Sequence, residues 1–179
     1  LLAYVGDEDT ITLPLTFKGE SYEIYQFTSH KNIIIPEGFE KITNSMFYGC
    51  HSDSLYIPST VKSIGEWAFE YCSFEINWGE SSVERFDVQA FYNYQGETLI
   101  IPNSVKTIGA YAFANCDYLK EIIIPSSVET IGNNVFSSIY EIIIYCEVES
   151  KPSNWDINWN QNNYGECLPV IWGYSVETE

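Results

Sequence analysis

An apolar tetrapeptide closed by proline recurs along this 179-residue chain, and that recurrence limits the fold more than any other feature. Ile-Thr-Leu-Pro ends at Pro14, Ile-Ile-Ile-Pro at Pro36, Leu-Tyr-Ile-Pro at Pro58, Leu-Ile-Ile-Pro at Pro102 and Ile-Ile-Ile-Pro at Pro125, at spacings of 22, 22, 44 and 23 residues. Self-similarity at this period is the mark of a solenoid, because one such unit cannot bury its apolar face alone. The 44-residue interval hides a degenerate copy, Ile76-Asn77-Trp78-Gly79 with Val83, Phe86 and Ala90-Phe91. Fuller copies carry Pro58, Val61, Ile64-Gly65, Ala68-Phe69 and Cys72, then Pro102, Val105, Ile108-Gly109, Ala112-Phe113 and Cys116. A third has Pro125, Val128, Ile131-Gly132 and Val135-Phe136, and a last strand, Glu141-Ile-Ile-Ile-Tyr145, sets Tyr in the proline place.

Each unit thus offers a short strand, a proline that stops it where a missing N–H costs little, a turn, and an apolar stretch ending in Phe that reads as helical or 3₁₀. Strand side chains alternate between faces. The pairs Ile33/Ile35, Leu55/Ile57, Ile76/Trp78, Leu99/Ile101, Ile122/Ile124 and Ile142/Ile144 are therefore expected inward. Gly65, Gly109 and Gly132 share one position, which asks for a positive φ or tight packing. Stacking gives an α/β solenoid of leucine-rich-repeat type. It is expected to be right-handed, with a parallel sheet on the concave face, helical segments on the convex side and a Trp-rich C-terminal cap. Residues 1–146 form the expected solenoid of six to seven repeats. Within it, 1–31 reads as a capping repeat, since it keeps Pro14 but lacks the later columns. Residues 147–179 form the expected closing segment, with Trp155, Trp159 and Trp172 covering the last strand.

The pattern Ile-x-Ile-Pro-x-Ser-Val-x-x-Ile-Gly-x-x-Ala-Phe-x-x-Cys, carried by 55–72 and 99–116, resembles the BspA-like class of bacterial leucine-rich repeats over roughly residues 10–146. The resemblance implies a secreted or cell-surface protein whose work is adhesion to host proteins or other cells. It carries a role class, and no ligand or functional residue.

Charge narrows the partners. Eight Lys and Arg against 25 Asp and Glu give a net charge of −17, a field that repels nucleic acid and anionic lipid. No run of about 18 apolar residues offers a membrane span. The chain opens Leu1-Leu2-Ala3, which reads as a mature product or an excised piece, with any signal or anchor outside it. No cofactor is expected.

Chemistry-bearing residues have bland readings. Cys50, Cys72 and Cys116 lie three residues after Phe47, Phe69 and Phe113, in a column shared with Tyr94 and Ile139, so they read as core. No Cys-x-x-Cys pair supports zinc. Cys146 and Cys167 admit two readings: a cap disulfide in an oxidising compartment, or two separate thiols, one buried and one near the surface. The neighbours Cys50 and His51 should point apart, with no third partner in view. Asp7-Glu8-Asp9 lacks a cation loop. No catalytic or metal-ligating residue is expected.

The outward strand face is the informative surface. Its central column is expected to run Thr12, Ile34, Tyr56, Asn77, Ile100, Ile123 and Ile143. The column two residues earlier runs Thr10, Asn32, Ser54, Glu75, Thr98, Glu121 and Glu141. An apolar stripe beside hydroxyls and carboxylates marks a binding surface, although β-branched residues also simply suit strands. The leading expectation is a binding module that takes a protein ligand, of host or extracellular-matrix origin among the candidates. A glycan-binding module and a passive spacer are the alternatives, and an enzyme is the least favoured.

Overall fold

The computed structural model describes residues 9–14 and 32–175. Most of the expected capping repeat, 1–8 and 15–31, lies outside the described residues, as do His30, Asp7 and Glu8. In chain order the strands are β1 (Thr10–Thr12), β2 (Asn32–Ile34), β3 (Lys41–Ile42), β4 (His51–Tyr56), β5 (Ser63–Ile64) and β6 (Ser73–Asn77). They continue with β7 (Arg85–Phe86), β8 (Thr107–Ile108), β9 (Glu121–Ile124), β10 (Thr130–Ile131), β11 (Ile143–Cys146) and β12 (Val170–Trp172).

These strands form parallel stacks. The Ile-x-Ile-Pro strands build one face in two parts, β1-β2-β4-β6 and β9-β11-β12. The short strands around the repeat's Val…Ile build a continuous five-stranded sheet, β3-β5-β7-β8-β10. Between the sheets lies one core. The expected inward residues are buried throughout except Ile76, which is only partly covered, while Phe74, in the same phase of β6, joins the core.

Down the centre runs a ladder of phenylalanines. Ring centroids of Phe47, Phe69, Phe91, Phe113 and Phe136 succeed one another at 5.8, 5.1, 5.5 and 5.6 Å. Such pairs contribute about 0.5–1.5 kcal/mol beyond the area they bury. Trp159 continues the ladder 6.1 Å beyond Phe136. It packs with Trp155 and Trp172, and the Trp155 indole N–H donates to the Val128 carbonyl at 3.3 Å. Because β12 pairs in parallel with β11, the C-terminal segment winds on as one more, irregular coil.

No helix forms among the described residues, which corrects the expected helical or 3₁₀ stretch. The segments 44–49, 66–71, 88–93, 110–115 and 133–138 are chains of turns. Each holds two left-handed residues four apart: Ser45 and Gly49, Trp67 and Tyr71, Gln89 and Asn93, Tyr111 and Asn115, Asn134 and Ser138. A left-handed residue at every fourth position resets the backbone before a second helical turn can propagate. The conformation costs about 1–2 kcal/mol per non-glycine residue. The return is a backbone ladder between coils. Amides of Ser45, Phe47 and Gly49 donate to carbonyls of Glu66, Ala68 and Glu70 at 2.9, 3.0 and 2.8 Å, and later coils repeat the arrangement. A helix would have spent those amides internally.

The recurring glycine answers to packing, not to a positive φ. A Cβ on Gly132 would stand 2.5 Å from the Ala110 nitrogen, and one on Gly109 2.6 Å from the Asp87 carbonyl carbon. Backbone of the preceding coil fills the space a side chain would need. Beside this column the exposed Glu40, Lys62, Glu84, Lys106 and Glu129 alternate in charge, and the amides of the last four each bond the carbonyl of the residue one coil back at 2.8–2.9 Å.

Candidate binding face

Register defines which outward side chains meet. Thr12 lies beside Ile34, Ile34 beside Tyr56, and Tyr56 beside Asn77. In the second part Ile123 lies beside Tyr145, and Tyr145 beside Ile171. The expected column is therefore corrected at its C-terminal end. Ile143 pairs with Glu121 in the flanking column, and Tyr145 takes the central place. Glu141 falls before β11, exposed, with its carboxylate 4.0 Å from the Lys120 ammonium. The two-residue shift follows from burial, because Ile142, Ile144 and Cys146 all face the core and leave Ile143 and Tyr145 outward. A small apolar Cys146 two residues after Ile144 was the available signal.

The face is interrupted at its middle. Residues 99–101 bury Leu99 and Ile101 yet form no strand with β6 or β9, and Ile100 stands 73% exposed. The causes are length and volume. From the column residues Cys72, Tyr94 and Cys116 to the first inward strand residues Ile76, Leu99 and Ile122, the chain takes four, five and six residues in successive coils. Between β4 and β6 a one-residue difference is absorbed by an irregularity at His51–Ser54, whereas residues 99–101 differ by one residue from the coil on each side and pair with neither. Trp78 adds bulk in a slot that carries Ile elsewhere. It stacks on Phe86 at 5.8 Å and leaves its indole nitrogen buried without a partner.

The two halves of the face differ in chemistry. Around β2, β4 and β6 it is mixed. The Tyr56 ring lies over Gly79, where a Cβ would come within 2.9 Å of it. The Asn77 side-chain Oδ1 accepts from the Gly79 backbone amide at 2.9 Å, and the Ser54 hydroxyl donates to Asn32 Oδ1 at 2.8 Å. Around β9, β11 and β12 it is apolar, with Ile143 and Ile171 exposed by 42% and 46%, and Ile123 half-buried. Tyr145 joins them, its ring 4.7 Å from that of Tyr174. Glu75 and Glu121 stand exposed in the flanking column.

The thiols are structural. Burial pushes Cys50, Cys116 and Cys146 up to about 12 and raises Cys72 well above the ordinary thiol value. Thiolates are thus suppressed at neutral pH, and nucleophilic chemistry with them. His51 Nδ1 lies 2.7 Å from the Ser73 hydroxyl, whereas the Cys50 sulfur lies 3.9 Å from that of Ser52, so the two neighbours do point apart. Cys146 is buried and Cys167 exposed, both as free thiols.

Stacked parallel coils, each with a strand, a turn chain and a repeat phenylalanine, define a leucine-rich-repeat scaffold. The chain belongs to the BspA-type leucine-rich repeat family, whose model matches residues 20–143 in six copies. The repeat module of this family is a general protein-interaction fold. Among solved structures, a leucine-rich repeat protein from Eubacterium ventriosum aligns with 21% identity and a TM-score of 0.60, over 87% of this chain and 42% of its own. The leucine-rich repeat protein of T. pallidum aligns with 22% identity and a TM-score of 0.51, over 79% of this chain and 60% of its own. The chain thus spans less than two thirds of either structure, and at these identities the likeness is one of fold. No curated protein matches the sequence.

Proposed function

We propose that the chain is a non-catalytic module that binds a protein through its outward strand face, outside the cell or at its surface. The observation that carries the reading is the exposed apolar group Ile100, Ile143 and Ile171, with the half-buried Ile123 and Tyr145 on the same face. Contiguous exposed aliphatic and aromatic surface of this kind is uncommon unless a partner covers it. Ile34, Tyr56 and Asn77 extend the surface toward the N-terminal coils. Glu75 and Glu121 flank it, Glu141 stands at its border, and the net charge of −17 steers basic partners toward it. The surface location rests on the family resemblance.

The test is a binding screen of the labelled chain against immobilised extracellular-matrix proteins, with Ile100→Lys and Ile171→Lys alongside. Both side chains are exposed enough for the variants to fold. A protein that binds the parent chain and is lost by at least ten-fold in both variants supports the reading. Binding indifferent to both charges would move the interface elsewhere, and silence across the panel would favour a spacer.

A further inference from the structure

The turn face carries a cavity that strand-face binding does not use. It arises from a change of side-chain size along one column. At corresponding places in successive turn chains stand Tyr48, Glu70, Tyr92, Ala114 and Ser137. Large side chains give way to Ala and Ser, and the space left above these two is a pocket of about 310 Å³. Tyr92 and Asn163 line it together with the left-handed residues Gln89, Tyr111, Asn115 and Ser138. The volume falls at the lower end of small-molecule sites, roughly 300–1,000 Å³.

The lining is neutral, polar and aromatic. Asn115 donates its amide to the Tyr92 hydroxyl oxygen at 2.7 Å, and Asn134 donates to that of Tyr111 at 3.1 Å. Each phenol oxygen therefore accepts one hydrogen bond and keeps its own O–H to donate. The Ser137 hydroxyl donates to the Asn163 carbonyl oxygen, and the Asn163 amide donates to the Ser138 oxygen at 2.5 Å, fixing that wall. Gln89 lines the pocket as well, and its side chain makes no hydrogen bond to the other described residues, which leaves its amide free to pair with a ligand. No Lys, Arg, Asp or Glu lines the pocket. A phosphate or sulfate would find no counter-charge and a repelling field, and an ammonium would find no carboxylate. What remains is a neutral ligand that donates and accepts at several points while resting on phenol rings. One and two residues beyond Asn163 and Ser138, Tyr164 and Tyr140 stand exposed with ring centroids 6.0 Å apart, a platform on which a further sugar ring can stack.

We propose that this pocket binds a neutral saccharide, independently of the protein-binding face. The test is titration of the chain against neutral tetrasaccharides of gluco, galacto, manno and N-acetylhexosamine configuration, with sialylated and sulfated counterparts. The expected result is measurable binding of at least one neutral probe and weaker binding of its charged forms. Gln89→Ala should weaken the hit about five- to ten-fold, the scale of one hydrogen bond. Tyr164→Ala, at a site 76% exposed, should weaken it without loss of fold. Ala114→Phe, which fills the cavity, should abolish it, with a thermal melt to confirm folding. Ile100→Lys should leave it unchanged. The proposal is overturned if no neutral probe binds, if charged probes bind better, if Gln89→Ala and Tyr164→Ala are both without effect, or if a folded Ala114→Phe variant still binds.

Discussion

Replacing Phe91 by Ala should cost about 4–5 kcal/mol and split the unfolding of the chain. Phe91 is fully buried, with ring centroids 5.1, 5.0, 5.9 and 5.5 Å from those of Phe69, Phe86, Tyr94 and Phe113. Truncating a buried Phe costs about 3–5 kcal/mol, more where the surroundings cannot collapse. Collapse is resisted here, because the neighbouring rings hang from coils held apart by backbone ladders on two sides. The position also couples the halves of the molecule. Solenoid stability is a sum of coil terms and nearest-neighbour interfaces. The strand-face ladder is missing between β6 and β9, so the halves communicate through the β7–β8 pair, the turn amides and the Phe ladder. Against a total stability of roughly 5–15 kcal/mol, the loss should uncouple them. Urea unfolding monitored by peptide-resolved hydrogen exchange should show one transition for the parent chain. The variant should show two, separated at residues 92–110. A single coincident transition with a loss below about 2 kcal/mol would refute the coupling argument.

Other perturbations separate the remaining forces. Gly132→Ala meets backbone at 2.5 Å and should cost about 1–3 kcal/mol in a thermal melt, whereas Gly49→Asn, open in space at φ +66 and in the column where Asn93 and Asn115 already stand left-handed, should stay within about 0.5 kcal/mol of the parent. Lys106→Glu sets three carboxylates in a row with Glu84 and Glu129; it should lose about 0.5–1 kcal/mol at low salt, and added salt should recover most of it. In native protein at pH 8 a thiol-titrating disulfide reagent should modify Cys167 promptly and the other four cysteines only on unfolding. Because the folded thiols hold their protons while unfolded thiols ionise near pH 9, stability should be full below pH 9 and fall as pH rises toward about 12. A melting temperature that is flat or rising across that window would contradict the burial of these thiols.

The repeat was legible because packing and pattern share one period. Val61, Ile64 and Phe69 are apolar like their counterparts in the coils between residues 32 and 138, because each of these coils presses them into the same core. What failed to show was anything decided by backbone geometry instead of side-chain type. Glu66-Trp67-Ala68-Phe69-Glu70-Tyr71 has the composition of a helical turn, and nothing in it announces that Trp67 and Tyr71 are left-handed. Their conformation is imposed by amide ladders to the coils on either side. The glycine column was read as one of two alternatives and proved to be close packing. The outward stripe was traced through Ile34, Tyr56 and Asn77, where steps of 22 and 21 residues differ by one that an irregularity between His51 and Ser54 absorbs. It slipped at Ile143, because one irregular strand ending in Tyr145 and Cys146 offered no proline to anchor the register.

In a solenoid, a column that is uniform from coil to coil reports a packing demand, so recognition has to come from columns where the series breaks. Three breaks stand close together in the C-terminal half. The lengths leading into Ile76, Leu99 and Ile122 differ, which opens the strand face and lifts Ile100 into solvent. The strand register then advances by two residues at β11, which places Tyr145 between Ile123 and Ile171. On the turn surface the Tyr92 column drops to Ala114 and Ser137, which opens the neutral pocket. None of these departures improves the core. The first forfeits ladder hydrogen bonds, the second removes the proline stop, and the third leaves volume unfilled. Under the binding role proposed above, contact with a partner restores the interactions that these departures give up. Reverting one such break therefore separates the two effects. Ala114→Tyr should restore the size series of Tyr48 and Tyr92 and leave stability equal or higher by chemical denaturation, while closing the pocket. Loss of stability on that reversion would mean that Ala114 answers to packing after all.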